Sequence, residues 1–164
     1  MTAAADPAER FAEGLRALGL TAELREQGPA RSLAEAAAGI GVPPERIAKS
    51  IVVRLGDGDY RFVLVPGGRR ISWAKFRSAL GVNRATMPDA EEAFAATGYV
   101  RGTIVPIGAS TPWPVIADVA LLPGELALGS GMPGRSAVVD RDRLLAALDA
   151  QQADITEPEE PSKR

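Results

Sequence analysis

Two β-rich runs, IVVRL from Ile51 to Leu55 and YRFVLV from Tyr60 to Val65, stand on either side of an Asp57-Gly58 step. An Asp-Gly pair between such runs is a strong local hairpin signal, because the tight turn that matches the twist of paired strands needs residues at ease with positive φ. The chain is therefore expected to fold around an antiparallel pair near its middle. Upstream, Pro7 to Leu18 places Phe11, Leu15 and Leu18 at helical spacing, and Gly19 supplies a stop. Leu20 to Gln27 alternates weakly, as a short strand does. Ser32-Leu33-Ala34-Glu35 has the form of a capping box ahead of an alanine-rich helix ending near Gly39 and Gly41, and Pro43-Pro44 restarts the chain with one helical turn into IVVRL.

Downstream, a turn at Pro66-Gly67-Gly68 leads to a helix capped by Ser72 and carrying Trp73, Phe76 and Leu80, and Pro88 opens another through Phe94. From Thr97 to Ser136 the texture changes to short apolar runs, Thr103 to Val105, Val115 to Ala117 and Glu125 to Leu128, broken by many Gly and Pro residues. That stretch is expected to be strands and tight loops. Ala137 to Val139 makes a last short strand, and Asp140 caps a helix with Leu144, Leu145 and Leu148. Beyond Ala153 there is no apolar periodicity. The expected organisation is one domain over residues 1–153 and a disordered tail over 154–164, with no internal repeat and no linker.

Composition fits one soluble globular domain: 164 residues, 46% hydrophobic and 24% charged, enough chain to hide roughly two-thirds of its unfolded surface without a metal or disulfide staple. Neither cysteine nor histidine occurs. That removes thiol nucleophiles, Ser-His and Cys-His dyads, zinc fingers, haem ligation by imidazole and histidine proton shuttles. No carboxylate pair has metal-ligand spacing, and no cofactor or metal is expected. No window approaches the roughly 18 apolar residues of a membrane span, and MTAAADPAER lacks the form of a secretion signal, so the expectation is a cytoplasmic protein without membrane contact. The formal charge of -2 hides an uneven distribution: residues 46–110 carry ten bases and five acids between flanks in which acids outnumber bases. One basic surface is expected, either a site for a polyanion or simply solvated arginine.

Lys49 is one of only three lysines among 19 bases, and it stands where the helical turn meets the apolar strand. A lysine there is either a side chain snorkelling from a strand end or a partly desolvated point charge suited to electrostatic work. It cannot form a nucleophilic pair with Ser50, because neighbours on a strand point to opposite faces. The run Gly98-Tyr99-Val100-Arg101-Gly102-Thr103-Ile104-Val105-Pro106-Ile107-Gly108 spaces three glycines and a proline around a β-like stretch. Such a loop is a bend between strands, or a cradle whose main-chain N–H groups hold a carbonyl oxygen or phosphate. Gly129-Ser130-Gly131-Met132-Pro133-Gly134-Arg135-Ser136 approaches P-loop spacing, but Ala137-Val138-Val139 continues as a strand and leaves no helix N-terminus for a phosphate. It is a hairpin connection or a substrate-hugging loop with Ser130 as donor. Asp118, at the end of Val115-Ile116-Ala117, either caps a turn or orients water or an amine.

Lys49-Ser50 entering a strand, then Thr97-Gly98-Tyr99 with Gly102, Pro106 and Gly108, then Ile116-Ala117-Asp118, then Gly129-Ser130-Gly131 with Gly134, resemble in that order the YbaK/ProX family of aminoacyl-tRNA deacylases, relatives of the editing domain inserted in bacterial prolyl-tRNA synthetases. The resemblance runs from about Leu18 to Leu148. It implies an α/β fold, a single compact domain whose mixed, partly barrel-like sheet is flanked by helices. It also implies hydrolysis of the ester joining a wrong, small amino acid to a tRNA, with tRNA(Pro) the expected carrier, as a monomer or homodimer and with prolyl-tRNA synthetase as a candidate partner. Lys49, with main-chain groups around Gly102 and Pro106, would be catalytic. Ser50, Gly98, Tyr99, Gly108, Asp118, Gly129, Ser130 and Gly131 would bind substrate. The rival is a non-catalytic module of the same fold that holds an aminoacyl or nucleotide group or a synthetase. Some alanine-specific relatives use a pocket histidine, which this chain lacks, so the amino acid removed stays open.

Overall fold

The hairpin is the centre of the architecture. In the computed structural model, which describes residues 6–159, strand β2 (Ala48–Gly56) pairs antiparallel with β3 (Asp59–Pro66), Ser50 opposite Leu64 and Ile51 opposite Val63. Gly58 takes φ 67 in the turn between them, the conformation that the Asp-Gly step predicts. Strand β5 (Val115–Asp118) runs parallel to β3, and β8 (Gln151–Ala153) parallel to β5, giving a mixed sheet in the order β2-β3-β5-β8. A second, antiparallel sheet has β1 (Glu23–Glu26), β7 (Arg135–Asp140) and β6 (Glu125–Gly129) in the order β1-β7-β6. Strands β4 (Arg69–Ile71) and β9 (Thr156–Pro158) form a third, two-stranded sheet.

One parallel bridge, Ile47 to Ala127, links the first sheet to the second. A single bridge does not close a sheet on itself, so among the described residues there are three sheets flanked by helices and no barrel.

The helices follow their caps. Helix α1 (Pro7–Leu18) begins on proline and stops at Gly19, φ 67. In α2 (Leu33–Ile40) the Ser32 hydroxyl accepts from Glu35 N at 3.1 Å, while the Glu35 carboxylate takes Arg31 N instead of completing the box. A 3-10 turn, Pro44–Arg46, precedes β2. Ser72 caps α3 (Trp73–Leu80), and Asp140 caps α5 (Arg141–Ala147). Helix α4 (Ala90–Thr97) starts later than Pro88 suggests: the Asp89 carboxylate accepts from Glu92 N at 2.8 Å, and a side-chain acceptor outweighs a proline in fixing the first turn.

Strand β3 is buried on both faces, with Phe62 and Leu64 in one core and Val63 and Val65 in another. Alternation along a strand makes this possible. The first core adds Phe11 of α1, Ala48 and Val52 of β2, Leu126 and Leu128 of β6 and Leu144 of α5; the second adds Val53 of β2, Phe76 of α3, Ile116 of β5 and Ile155. Helix α2 covers the outer face of β6 and β7, where Ile40 meets Ala127 and Val138.

The structure differs from sequence expectation in several segments: Arg69–Ile71 and Gln151–Ala153 form the short strands β4 and β8, which the sequence did not announce, so the strand at Ala137 to Val139 is not the last. Thr103 to Val105 makes no ladder; Thr103 and Val105 are buried in a loop that threads the first core. The chain beyond Ala153 also continues as structure: Ile155 and Thr156 are fully buried, Ser72 N donates to Ile155 O at 2.8 Å, and β9 pairs with β4. A three-residue strand carries no periodicity, and its acidic, proline-rich neighbours mask the one large apolar residue. Residues 160–164 of that expected tail lie outside the described residues.

Candidate functional site

Strand β2 is an edge strand, and its free edge is where the fold opens. Arg54 N donates to Thr86 O at 2.7 Å and Thr86 N to Arg54 O at 3.0 Å, both away from β3. On the far side of β3, Phe62 N donates to Pro114 O at 3.0 Å. Both facts fix the same alternation: odd-numbered residues of β2 turn their N–H and C=O toward β3, and even-numbered ones turn theirs outward. The outward groups of Ser50 and Val52 thus fall between the bridges at Ile47 and Arg54, where no described strand pairs with β2.

A pocket of about 530 Å³ lies against this stretch, within the usual size of small-molecule sites. Residues 47–52 form one wall. Facing them are Gly102 and Ile104, the end of β6 at Leu128 and Gly129, Arg135, and the start of α4. Glu92 ties α4 to the hairpin: its Oε2 accepts from Tyr60 Oη at 2.5 Å and lies 3.5 Å from Arg54 Nε. That hydrogen bond, helped by burial, raises the Tyr60 phenol above its ordinary pKa.

Of the residues given a catalytic or binding role from sequence, Lys49, Ser50, Gly102 and Gly129 line this pocket, as does Gly134 of the same motif as Gly129. The Ser50 hydroxyl is buried there without a hydrogen-bond partner. Gly102 has φ 92 with open space where a side chain would go. Gly129 packs on the carbonyls of Thr103 and Ile104, where a Cβ would come within 2.6 Å of the latter.

The others support the walls. The ring of Tyr99 is buried, its hydroxyl donates to Ile107 O at 2.7 Å, and the Arg10 guanidinium sits 4.8 Å from its centroid. Burial pushes this phenol up to about 12, with the Arg10 charge opposing. Gly98 ends α4 with φ 78, and its carbonyl accepts from Arg10 Nη2 at 2.5 Å. Gly108 packs on the Arg10 carbonyl and the Tyr99 hydroxyl, and Gly131 on the Tyr99 ring. Pro106 is buried beside Val105 and Ile107. Ser130 Oγ donates to Arg135 O at 2.8 Å, and Gly131 N to Thr103 O at 2.9 Å, which fastens the two glycine loops together. Asp118, 2% exposed, accepts from Ile155 N and Ala120 N, each at 3.0 Å.

Lys49 has a particular geometry. Val52 and Ala48 face the first core and Val53 the second, so alternation sends the Lys49 stem to the second-core side and Ser50 to the first. Its Nζ donates to Arg69 O at 2.5 Å and to Glu159 Oε1 at 3.1 Å. Sequence reasoning did not single out Val52 or Glu159, and it met Arg135 only in the P-loop-like run that it set aside. An edge strand is a property of sheet order, which no local pattern reports, and Glu159 lay in the presumed tail. Among the described residues, no helix is long and apolar enough to cross a membrane.

Residues 27–147 match the family of the aminoacyl-tRNA editing domain. The chain belongs to that family. The editing-domain family also contains the resemblance drawn from the lysine and glycine motifs. The chain is 27% identical over 131 residues to EbsC of Enterococcus faecalis, named as a candidate Cys-tRNA(Pro)/Cys-tRNA(Cys) deacylase, covering 79% of this chain and 78% of that protein. It is 29% identical over 91 residues to a proline–tRNA ligase of Trichlorobacter lovleyi, covering 56% of this chain but spanning only 16% of the ligase. Among solved structures it is similar to a candidate trans-editing enzyme for prolyl-tRNA synthetase, with TM-score 0.83, 30% identity and coverage of 94% of this chain and 99% of the other.

Proposed function

We propose that this protein is a deacylase that acts in trans on tRNA(Pro) carrying a small non-cognate amino acid, with Lys49, Ser50, Gly102 and the outer edge of β2 as its working groups. The observation that carries the proposal is the free edge itself: Ser50 and Val52, whose main-chain groups turn outward, line a pocket, and the Ser50 hydroxyl is buried and unpartnered beside it. Family membership and the similarity to EbsC and to the prolyl-tRNA ligase supply the substrate class.

The chemistry suits a chain without histidine or cysteine. Water attacks the ester carbonyl carbon, the carbonyl oxygen becomes an oxyanion, and the C–O bond to the ribose then breaks, the proton from water passing to the ribose oxygen. Outward N–H groups of β2, or those at Gly102, stabilise the oxyanion without reorganising. Outward carbonyls of β2 accept from the substrate's α-ammonium and hold the acyl group in place. Lys49 offsets negative charge on the terminal nucleotide or the ester oxygen. Arg101 and Arg135, both exposed at the pocket, add positive charge along an acceptor end's path. Prolyl-tRNA synthetase as a partner and a cytoplasmic location belong to the same reading.

The test is a deacylation panel of cysteinyl- and alanyl-tRNA(Pro), cysteinyl-tRNA(Cys) and alanyl-tRNA(Ala). At least one tRNA(Pro) species should be hydrolysed well above buffer. Lys49→Ala should lose about 100-fold in kcat/KM, on the scale of one oxyanion-stabilising donor, with unchanged circular dichroism. No hydrolysis of any species would leave the binding-module reading in its place.

A further inference from the structure

Glu159 follows β9 and lies outside the segment that matches the editing-domain family. It is not a loose residue: its N donates to Gly68 O at 3.0 Å, extending the pairing of β9 with β4. Its carboxylate is the only one in ion-pair range of Lys49 among the described residues. The two side chains are 29% and 48% exposed. A pair this open to water contributes about 0–1 kcal/mol, and lysine's flexible stem lets its ammonium leave without moving the backbone.

We propose that Glu159 is a positioning residue for Lys49, which lines the pocket: its carboxylate holds the ammonium, already charge-balanced, beside β4 and β9, outside the pocket lining, until an anionic group of the substrate takes the carboxylate's place. The proposal rests on the deacylase reading for its substrate, a 3′-terminal nucleotide. The exchange replaces one ion pair by another, so it costs little, and the Arg69 carbonyl keeps a fixed acceptor beside the ammonium throughout. Glu159 therefore competes with substrate and weakens its binding, and the ammonium is unoccupied by stray anions at rest.

Glu159→Gln and Glu159→Asp test this, because the main-chain bond to Gly68 survives both. On a mischarged tRNA, Glu159→Gln should lower KM about two- to fivefold, the worth of one exposed ion pair, with kcat within twofold of the parent. Glu159→Asp should restore the parental KM. A KM that rises or stays the same, or a kcat that falls, overturns the proposal. An independent readout is the rate at which an amine-acylating reagent modifies Lys49, followed by peptide mass spectrometry. Glu159→Gln should raise that rate, and a 5′-phosphorylated CCA trinucleotide should protect Lys49 at lower concentration than in the parent. Unchanged labelling and protection overturn it. If no tRNA in the panel is hydrolysed while labelling and protection shift as described, the deacylase reading fails and the tether stands.

Discussion

Lys49 and Ser50 are neighbours on β2, yet their functional groups part company across the sheet: the ammonium reaches Arg69 O and Glu159, and the hydroxyl lies buried and unpaired beside the pocket. A buried hydroxyl without a partner costs stability, and its place beside the pocket makes it a candidate partner for a substrate group. Ser50→Ala should leave the thermal midpoint unchanged or slightly raised while lowering kcat/KM for deacylation. A lower midpoint with unaltered kinetics would make Ser50 a packing residue.

Gly131 and Gly102 both adopt positive φ, 80 and 92, but in different surroundings. A Cβ at Gly131 would stand 2.6 Å from Tyr99 Cε1, whereas one at Gly102 meets open space. Gly131→Ala should destabilise by about 2–4 kcal/mol, backbone strain and overpacking together. Gly102→Ala should cost only about 1–2 kcal/mol of backbone strain and should show mainly in the kinetics, because it alters the pocket wall. Urea unfolding with parallel deacylation assays separates the two.

Tyr99 gives the fold an alkaline limit. Burial holds its phenol at about 12, above its unfolded value of about 10. Between those values the unfolded chain releases the proton and the folded one keeps it, so this contribution is complete below about pH 10 and is lost as pH rises toward 12. Tyr99→Phe should flatten stability across that window. At neutral pH it should cost about 1–3 kcal/mol, because the Ile107 carbonyl loses its donor. Denaturation midpoints at several pH values decide this.

Asp118 joins β5 to the last part of the chain by accepting from Ile155 N. Asp118→Ala leaves two buried or half-buried N–H groups without their acceptor and should cost about 2–4 kcal/mol. Limited proteolysis should then cut at residues 154–159 well before the parent is cut there. A variant that keeps its stability but loses turnover would place Asp118 at the substrate instead.

Much of this was legible because local signals carried it. Asp57-Gly58 specified the hairpin, Ser32, Ser72 and Asp140 marked helix starts, and the family resemblance carried by the lysine and glycine motifs pointed to Lys49, Gly102 and Gly129, which line one pocket. What was hidden depends on distant pairing. Nothing in the sequence between Ile47 and Arg54 tells which edge of β2 stays open, since that follows from strand order. Tyr99, Gly108 and Gly131 read as site residues because close packing around one aromatic ring demands the same glycines that a ligand cradle would. Thr156 to Pro158 became a strand only because β4 offered an edge.

The bridges at Ile47 and Arg54 pin β2 at both ends of its open stretch, and the irregularity in its pairing with β3 falls beyond Arg54. One extra residue inserted between Ile47 and Ala48, with Ile47 still anchored and the far end free to slip by one, would turn this stretch over. The product could pair every strand and still be chemically inverted, presenting an alcohol to Glu159 and a cation to the first core.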